Sequence, residues 1–180
     1  MRIAISGSHC SGKTTLVEDF LQRHPEYAHE PEPYEWLAET SAELSSADAW
    51  QQLEISVERL SAYGPGSNLI AERSPIDFLA YLEALRTLER EDTSRMLDGA
   101  RERVSRGMKH VDLLVILPLS DEIEAPEDED PELRDAMNHS LLDIIADDLT
   151  DLAPNVRCIE IAGNASQRIV ALDAEVRVDR

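Results

Sequence analysis

The stretch that most constrains this chain is Gly7-Ser8-His9-Cys10-Ser11-Gly12-Lys13-Thr14, which fills every fixed position of G-x-x-x-x-G-K-[ST]. Arg2 to Ser6 before it reads as a short buried strand, and Thr15 to His24 after it reads as a helix. A strand, a glycine-rich loop and a helix, in that order, make a cradle for phosphate. The glycines let successive backbone N–H groups surround one cavity. The helix start aims its free N–H groups and positive dipole end into the same cavity. Lys13 then reaches β- and γ-phosphates, and the Thr14 hydroxyl can hold Mg2+. The run from Gly7 and Ser8 through His9, Cys10, Ser11, Gly12, Lys13 and Thr14 to Thr15 is therefore expected to bind a nucleoside triphosphate.

At 180 residues the chain is expected to form one domain, 1–180, with a sizeable core. Its formal charge of -20 argues against a nucleic-acid polymer as partner, because phosphates would be repelled. That acidity leaves any phosphate site dependent on a few local cations and oriented N–H groups. Cys10 and Cys158 are far apart and form no disulfide or metal pattern. Met1 runs straight into the first strand, and the longest apolar run, Leu113 to Leu117, is too short to span a bilayer. The expectation is a cytoplasmic protein that makes no membrane contact. A homodimer is left open.

After the loop, Leu16, Val17, Phe20 and Leu21 mark one apolar helical face, and Pro25 ends the helix. Tyr27 to Glu30 is a short second strand. The alternating prolines of Glu30-Pro31-Glu32-Pro33-Tyr34 predict extended chain with no helix. Glu35 to Tyr63 is mostly helical, with a break near Ser45 and Ser46 or Asp48 as the cap. Asn68 to Ala71 forms a third strand, and Pro75 opens the next helix. Thr93 to Met108 is a further helix, and Val111 to Leu117 is apolar enough for a central parallel strand. An acidic loop, Ser120 to Pro131, precedes a helix from Glu132 to about Asp151. Val156 to Ile161 is the last strand and Ala165 to Val176 the closing helix.

Five short strands alternating with helices imply an α/β fold: a five-stranded parallel sheet with helices on both faces. Ligands of such sheets bind beyond the carboxyl ends of the strands. The phosphate loop, Glu30 and Glu32, and Glu72-Arg73 are thus expected to converge. Glu72 can hold a Mg2+-bound water. Arg73 can clamp an anion or pair with a nearby glutamate. Asp77 braces Arg73 or favours its own helix start. Glu32 or Glu30 supplies a carboxylate beside an attacking hydroxyl, or is a solvated loop charge.

Arg134 is the only Lys or Arg between Lys109 and Arg157. It either neutralises a transferring phosphoryl group from a lid at 118–134 or pairs with Asp130. Tyr34 and Trp36 lie nearest the site in sequence, and Gln51 or Gln52 could meet a base edge. The histidines show no ligand spacing, so no metal beyond Mg2+ is expected.

Residues Ile5 to Thr15 resemble the opening of bacterial ATP-binding proteins similar to ribosylnicotinamide kinase, within the P-loop small-molecule kinases of the nucleoside and nucleotide kinase-like group. Glu32-Pro33-Tyr34 with Trp36 is similar to the Glu-Pro-x motif of deoxynucleoside kinases, whose glutamate is a general base. The tryptophan stands one residue out of step, which leaves Glu30 and Glu32 both open. Glu72-Arg73-Ser74 resembles the Glu/Asp-Arg-x motif of the same kinases, whose arginine touches substrate or phosphate. Asp77-Phe78-Leu79-Ala80-Tyr81 resembles the continuation in the bacterial group.

The resemblance implies a three-layer P-loop NTPase fold with a small lid, and Gly163-Asn164 against adenine. Lids of this group often carry two or more arginines, where this chain has Arg134. An ATP-dependent kinase using Mg2+, with Lys13, Glu32, Arg73 and Arg134 as catalytic residues and a nucleoside- or nucleotide-like acceptor, is the leading expectation. The alternative is a nucleotide-binding regulatory ATPase that signals to a protein partner. A GTPase switch is disfavoured, since no Asn-Lys-x-Asp guanine motif is present.

Overall fold

The computed structural model describes residues 1–37, 44–119 and 130–178. Strand β1 (Arg2–Ser6) is buried at every residue and runs through the phosphate loop into α1 (Lys13–Arg23). Next come β2 (Ala28–Glu30), a one-turn 3₁₀ helix (Pro33–Trp36) and α2 (Ser46–Ser61). β3 (Leu69–Glu72), α3 (Pro75–Thr87), α4 (Ser94–Met108) and β4 (Leu113–Ile116) follow. The chain closes with α5 (Pro131–Asp147), α6 (Leu149–Leu152), β5 (Arg157–Glu160) and α7 (Ala165–Val178).

The five strands form one parallel sheet in the order β2-β3-β1-β4-β5. Side chains alternate between its faces along each strand. Ile3, Ile5, Ile70, Leu113 and Val115 point to the side covered by Leu16, Val17 and Phe20 of α1 and Ile169 and Leu172 of α7. Ala4, Leu69, Ala71, Leu114 and Ile116 point to the side covered by α2 to α6. Both faces are apolar and both are covered, as a parallel sheet requires. The register pairs Ile5 with Glu72 and Ser6 with Ile116. The ends of β1 and β3 therefore stand side by side, bringing the phosphate loop next to Glu72-Arg73.

Four local expectations are corrected. Glu30 to Tyr34 is not extended throughout, because the 3₁₀ turn begins at Pro33. A proline at a first helical position forfeits no bond, since that N–H has no partner inside the helix. The cap of α2 is neither Ser46 nor Asp48 but Ser45, whose side chain and that of Asp48 cap each other's backbone N–H. The helix expected to reach Asp151 ends at Asp147, and α6 restarts as a separate turn. Asp130 does not pair with Arg134. Its carboxylate caps α5 through the Leu133 N–H and binds Arg90. No helix among the described residues is long and apolar enough to cross a membrane.

Candidate active site

The phosphate loop is held in shape from three sides. A Cβ on Gly7 would lie 2.6 Å from both the Leu117 carbonyl oxygen and Ser11 Oγ, so the close crossing of loop and β4 admits only glycine there. Cys10 and Gly12 take left-handed backbone angles, φ 53° and 87°. Asp77, fully buried, accepts from Gly7 N at 3.0 Å, Ser6 Oγ at 2.6 Å and Ser74 N at 2.8 Å. It thus caps α3 and lies 3.6 Å from Arg73 Nη1, the two roles left open for it in the sequence, and it also anchors the loop's first residue, which neither reading anticipates.

Arg73 Nη1 donates to the Gly7 carbonyl at 3.1 Å, and Arg168 Nη1 of α7 donates to the Ser11 carbonyl at 2.5 Å. In planar trans peptides these contacts turn the N–H groups of Ser8 and Gly12 the other way, away from the two arginines. The hydroxyls of Ser8 and Ser11 are buried with no hydrogen-bond partner among the described residues. Lys13 is buried, and its ammonium donates to the Ser8 carbonyl at 2.8 Å. Burial and the nearby Arg73 cation lower its pKa to about 8, against the opposing pull of Glu32, Asp77 and Glu72.

Glu32 faces this loop. Its carboxylate accepts from Arg73 Nε at 2.9 Å and lies 3.6 Å from Lys13 Nζ. Burial pushes the Glu32 carboxyl up, but the charges of Arg73 and Lys13 outweigh it and hold the pKa down at about 2. Arg73 is buried at a left-handed φ of 75°, an angle that opposes a side-chain-bearing residue and is found where surrounding structure over-determines it. Glu32, Asp77 and Tyr81 raise its pKa in spite of burial. On the other flank the Thr14 hydroxyl donates to Glu72 at 2.8 Å, and His29 Nε2 lies 3.0 Å from the second Glu72 oxygen.

Glu30 is placed differently from Glu32. Arg59 grips it through Nε at 2.5 Å and Nη2 at 3.1 Å, and Tyr63 donates at 3.3 Å. Strand alternation alone would put residues 30 and 32 on one face; they part because β2 ends at Glu30 and Glu32 lies beyond it, directly before the 3₁₀ turn. A small cleft opens between the 3₁₀ turn and α2, lined by Pro31, Pro33, Trp36, Ile55, Arg59 and Arg73, with Glu30 and Glu72 among the others. The Arg59 guanidinium lies 4.2 Å over the Trp36 ring.

A family model described as an AAA domain matches residues 2–168. The chain belongs to this AAA-domain family. No curated protein matches the sequence. Among solved structures the chain is similar to deoxyadenosine kinase from M. mycoides with bound dATP, at 13% identity and a TM-score of 0.74, covering 98% of this chain and 100% of that one. It is also similar to thymidylate kinase from Candida albicans, at 18% identity and a TM-score of 0.68, covering 98% and 91%. These neighbours are nucleoside and nucleotide kinases, and the fold they share with this AAA domain is the P-loop NTPase kinase fold.

The remaining predicted site residues of this AAA domain are more scattered. His9, Thr14 and Thr15 are exposed. Gly163 opens the turn into α7 at φ 95°, where Asn164 and Gln167 cap each other reciprocally. Arg134 lies in the first turns of α5, 3.7 Å from Asp135, with a buried Nε that has no hydrogen-bond partner among the described residues. No described contact joins it to the phosphate loop. Most of the lid expected at 118–134, residues 120–129, lies outside the described residues. Gln51 is exposed and Gln52 is buried in α2, outside the cleft lining.

Sequence reasoning missed Arg59 and Arg168 as site supports, since their partners stand 29 and 157 residues away. It also missed His29, which parity within β2 would have set apart from Glu30. For Mg2+ the donors fit. Thr14 Oγ1 and Glu72 are oxygen ligands already 2.8 Å apart beside the loop, and Mg2+ uses few protein ligands. No group of three or more His, Cys, Asp and Glu residues forms a metal cage among the described residues.

Proposed function

We propose that this AAA domain is an ATP-dependent kinase that transfers a phosphoryl group to a hydroxyl or phosphate of a small molecule, nucleoside-like or nucleotide-like. The observation that carries this reading is Glu32, whose carboxylate sits 3.6 Å from the phosphate-loop lysine and 2.9 Å from Arg73.

In this reading the phosphate loop and Lys13 hold the triphosphate, while Thr14 and Glu72 hold Mg2+, which neutralises phosphate charge when bound. The acceptor oxygen attacks the γ-phosphorus in line. The bond from that phosphorus to the bridging oxygen breaks, ADP leaves, and the hydroxyl proton passes to Glu32. A carboxylate held near a pKa of 2 is a weak base, which suits a transfer in which positioning and charge stabilisation dominate. Arg73 fixes Glu32 in place, and Lys13, turning to phosphate, removes one of the cations that depress it. Arg134 is assigned to the γ-phosphoryl group.

ADP release with Mg-ATP against nucleosides, nucleotides, ribosylnicotinamide and small sugars tests this. Acceleration by one compound, lost in Lys13→Ala and Glu32→Gln while Glu32→Gln still binds ATP, is the expected result. A flat panel over a slow basal hydrolysis would overturn it.

A further inference from the structure

We infer that the acceptor carries no phosphate: it is a neutral or cationic alcohol, not a phosphate monoester. This rests on the kinase reading above. A monoester would bring about −1.5 to −2 charges into the cleft and would need cations free to meet them, as charge-assisted bonds from arginine or lysine. Two cations line the cleft among the described residues, and both are engaged by carboxylates. Arg59 holds Glu30 through two bonds, at 2.5 and 3.1 Å, with its face on Trp36. Arg73 holds Glu32 at 2.9 Å and the Gly7 carbonyl at 3.1 Å, and lies 3.6 Å from Asp77.

Lys13 and His9, whose charge acts on Glu32, belong to the phosphate loop, and the imidazole of His29 already sits on Glu72. Glu30 and Glu72 against Arg59 and Arg73, with Arg73 also bonded to Glu32, leave the cleft with no surplus positive charge. Segments 38–43 and 120–129 contain acidic residues and no lysine or arginine, so the sequence there adds none. A phosphate in the cleft would displace a carboxylate from its arginine and leave that carboxylate, partly or wholly buried, beside a second anion. A hydroxyl-bearing ring asks only for hydrogen bonds and apolar contact with Pro31, Pro33 and Ile55.

The test is kcat/KM with Mg-ATP for matched pairs: nucleosides with their 5′-monophosphates, and ribosylnicotinamide and simple sugars with their phosphates. The unphosphorylated member of the active pair is expected to be better by about tenfold or more, the ratio that 1.4 kcal/mol sets. A phosphorylated member that is equal or better overturns this inference and leaves the kinase reading standing. No turnover of any pair overturns the kinase reading, and this inference with it. Glu30→Gln supplies an independent check, because it releases Arg59 to bind an anion. In that variant the preference should shift toward the monophosphate by about tenfold; an unchanged ratio would show that the paired arginine does not set it.

Discussion

Lys13 is the residue whose chemistry is set most clearly by its surroundings. Its folded pKa, about 8, lies below its ordinary 10.5, chiefly through burial. Between those values the unfolded chain binds more protons than the native one, so this group's contribution to stability rises with pH across that window. A bound triphosphate favours the charged ammonium. Nucleotide binding at pH 8.5 to 9 is therefore predicted to take up a fraction of a proton. Calorimetry in two buffers of different ionisation enthalpy measures this uptake, which should vanish in Lys13→Met.

Glu32 has the same slope with pH in a much lower window. Its folded pKa, about 2, lies below 4.5, so its contribution is complete above that ordinary value and is lost as pH falls through about 2. Glu32→Gln leaves Arg73 buried without its main partner, which should cost about 3–5 kcal/mol in chemical denaturation and lower kcat by about 10²–10⁴.

At the scale of elements, the site is an edge where β1, β2 and β3 end together and α1 begins. Gly7→Ala tests how tightly that edge is built. Its Cβ would strike Ser11 Oγ and the Leu117 carbonyl oxygen at 2.6 Å, and the second is backbone that cannot turn aside. Overpacking of this kind costs about 1–3 kcal/mol, and equilibrium binding should show nucleotide affinity falling by about tenfold or more.

Much of this edge was legible in the chain. The phosphate loop is contiguous, so its glycines, lysine and threonine could be read together. Glu72 and Arg73 follow a short apolar run that had to be a strand. The choice between Glu30 and Glu32 was not legible, because it depends on Arg59 and Tyr63 from α2 and the turn beyond it. The grip of Arg168 on Ser11 was likewise hidden, since α7 reaches the loop only after the whole sheet has closed. Pro33 misled for a simpler reason. A proline forbids helix interiors but suits helix starts, and only the structure shows which of the two applies.

At the scale of the molecule, a net charge of -20 surrounds a site that must attract a nucleoside triphosphate. The attraction is local, from Lys13, Arg73, Arg168 and the loop's N–H groups, against a repulsive field from the rest. Self-repulsion of that size is predicted to make the folded state salt-stabilised. Raising ionic strength from about 0.1 to 1 M shortens the screening length from about 10 to 3 Å. A thermal melt should then rise by at least about 2–4 °C, the shift that 1 kcal/mol makes in a domain of this size. An unchanged or lower Tm would mean that ion pairs such as Arg90 with Asp130 and Glu132 outweigh the repulsion.

The central claim is that the γ-phosphoryl group goes to a small-molecule hydroxyl oriented by Glu32. Following label from γ-³²P-ATP in the presence of Mg2+ and the unphosphorylated acceptor panel tests it most directly. The account predicts label covalently attached to one acceptor, with transfer lost in Glu32→Gln at saturating ATP. Label found only as inorganic phosphate, released at one slow rate whatever acceptor is added, would contradict it.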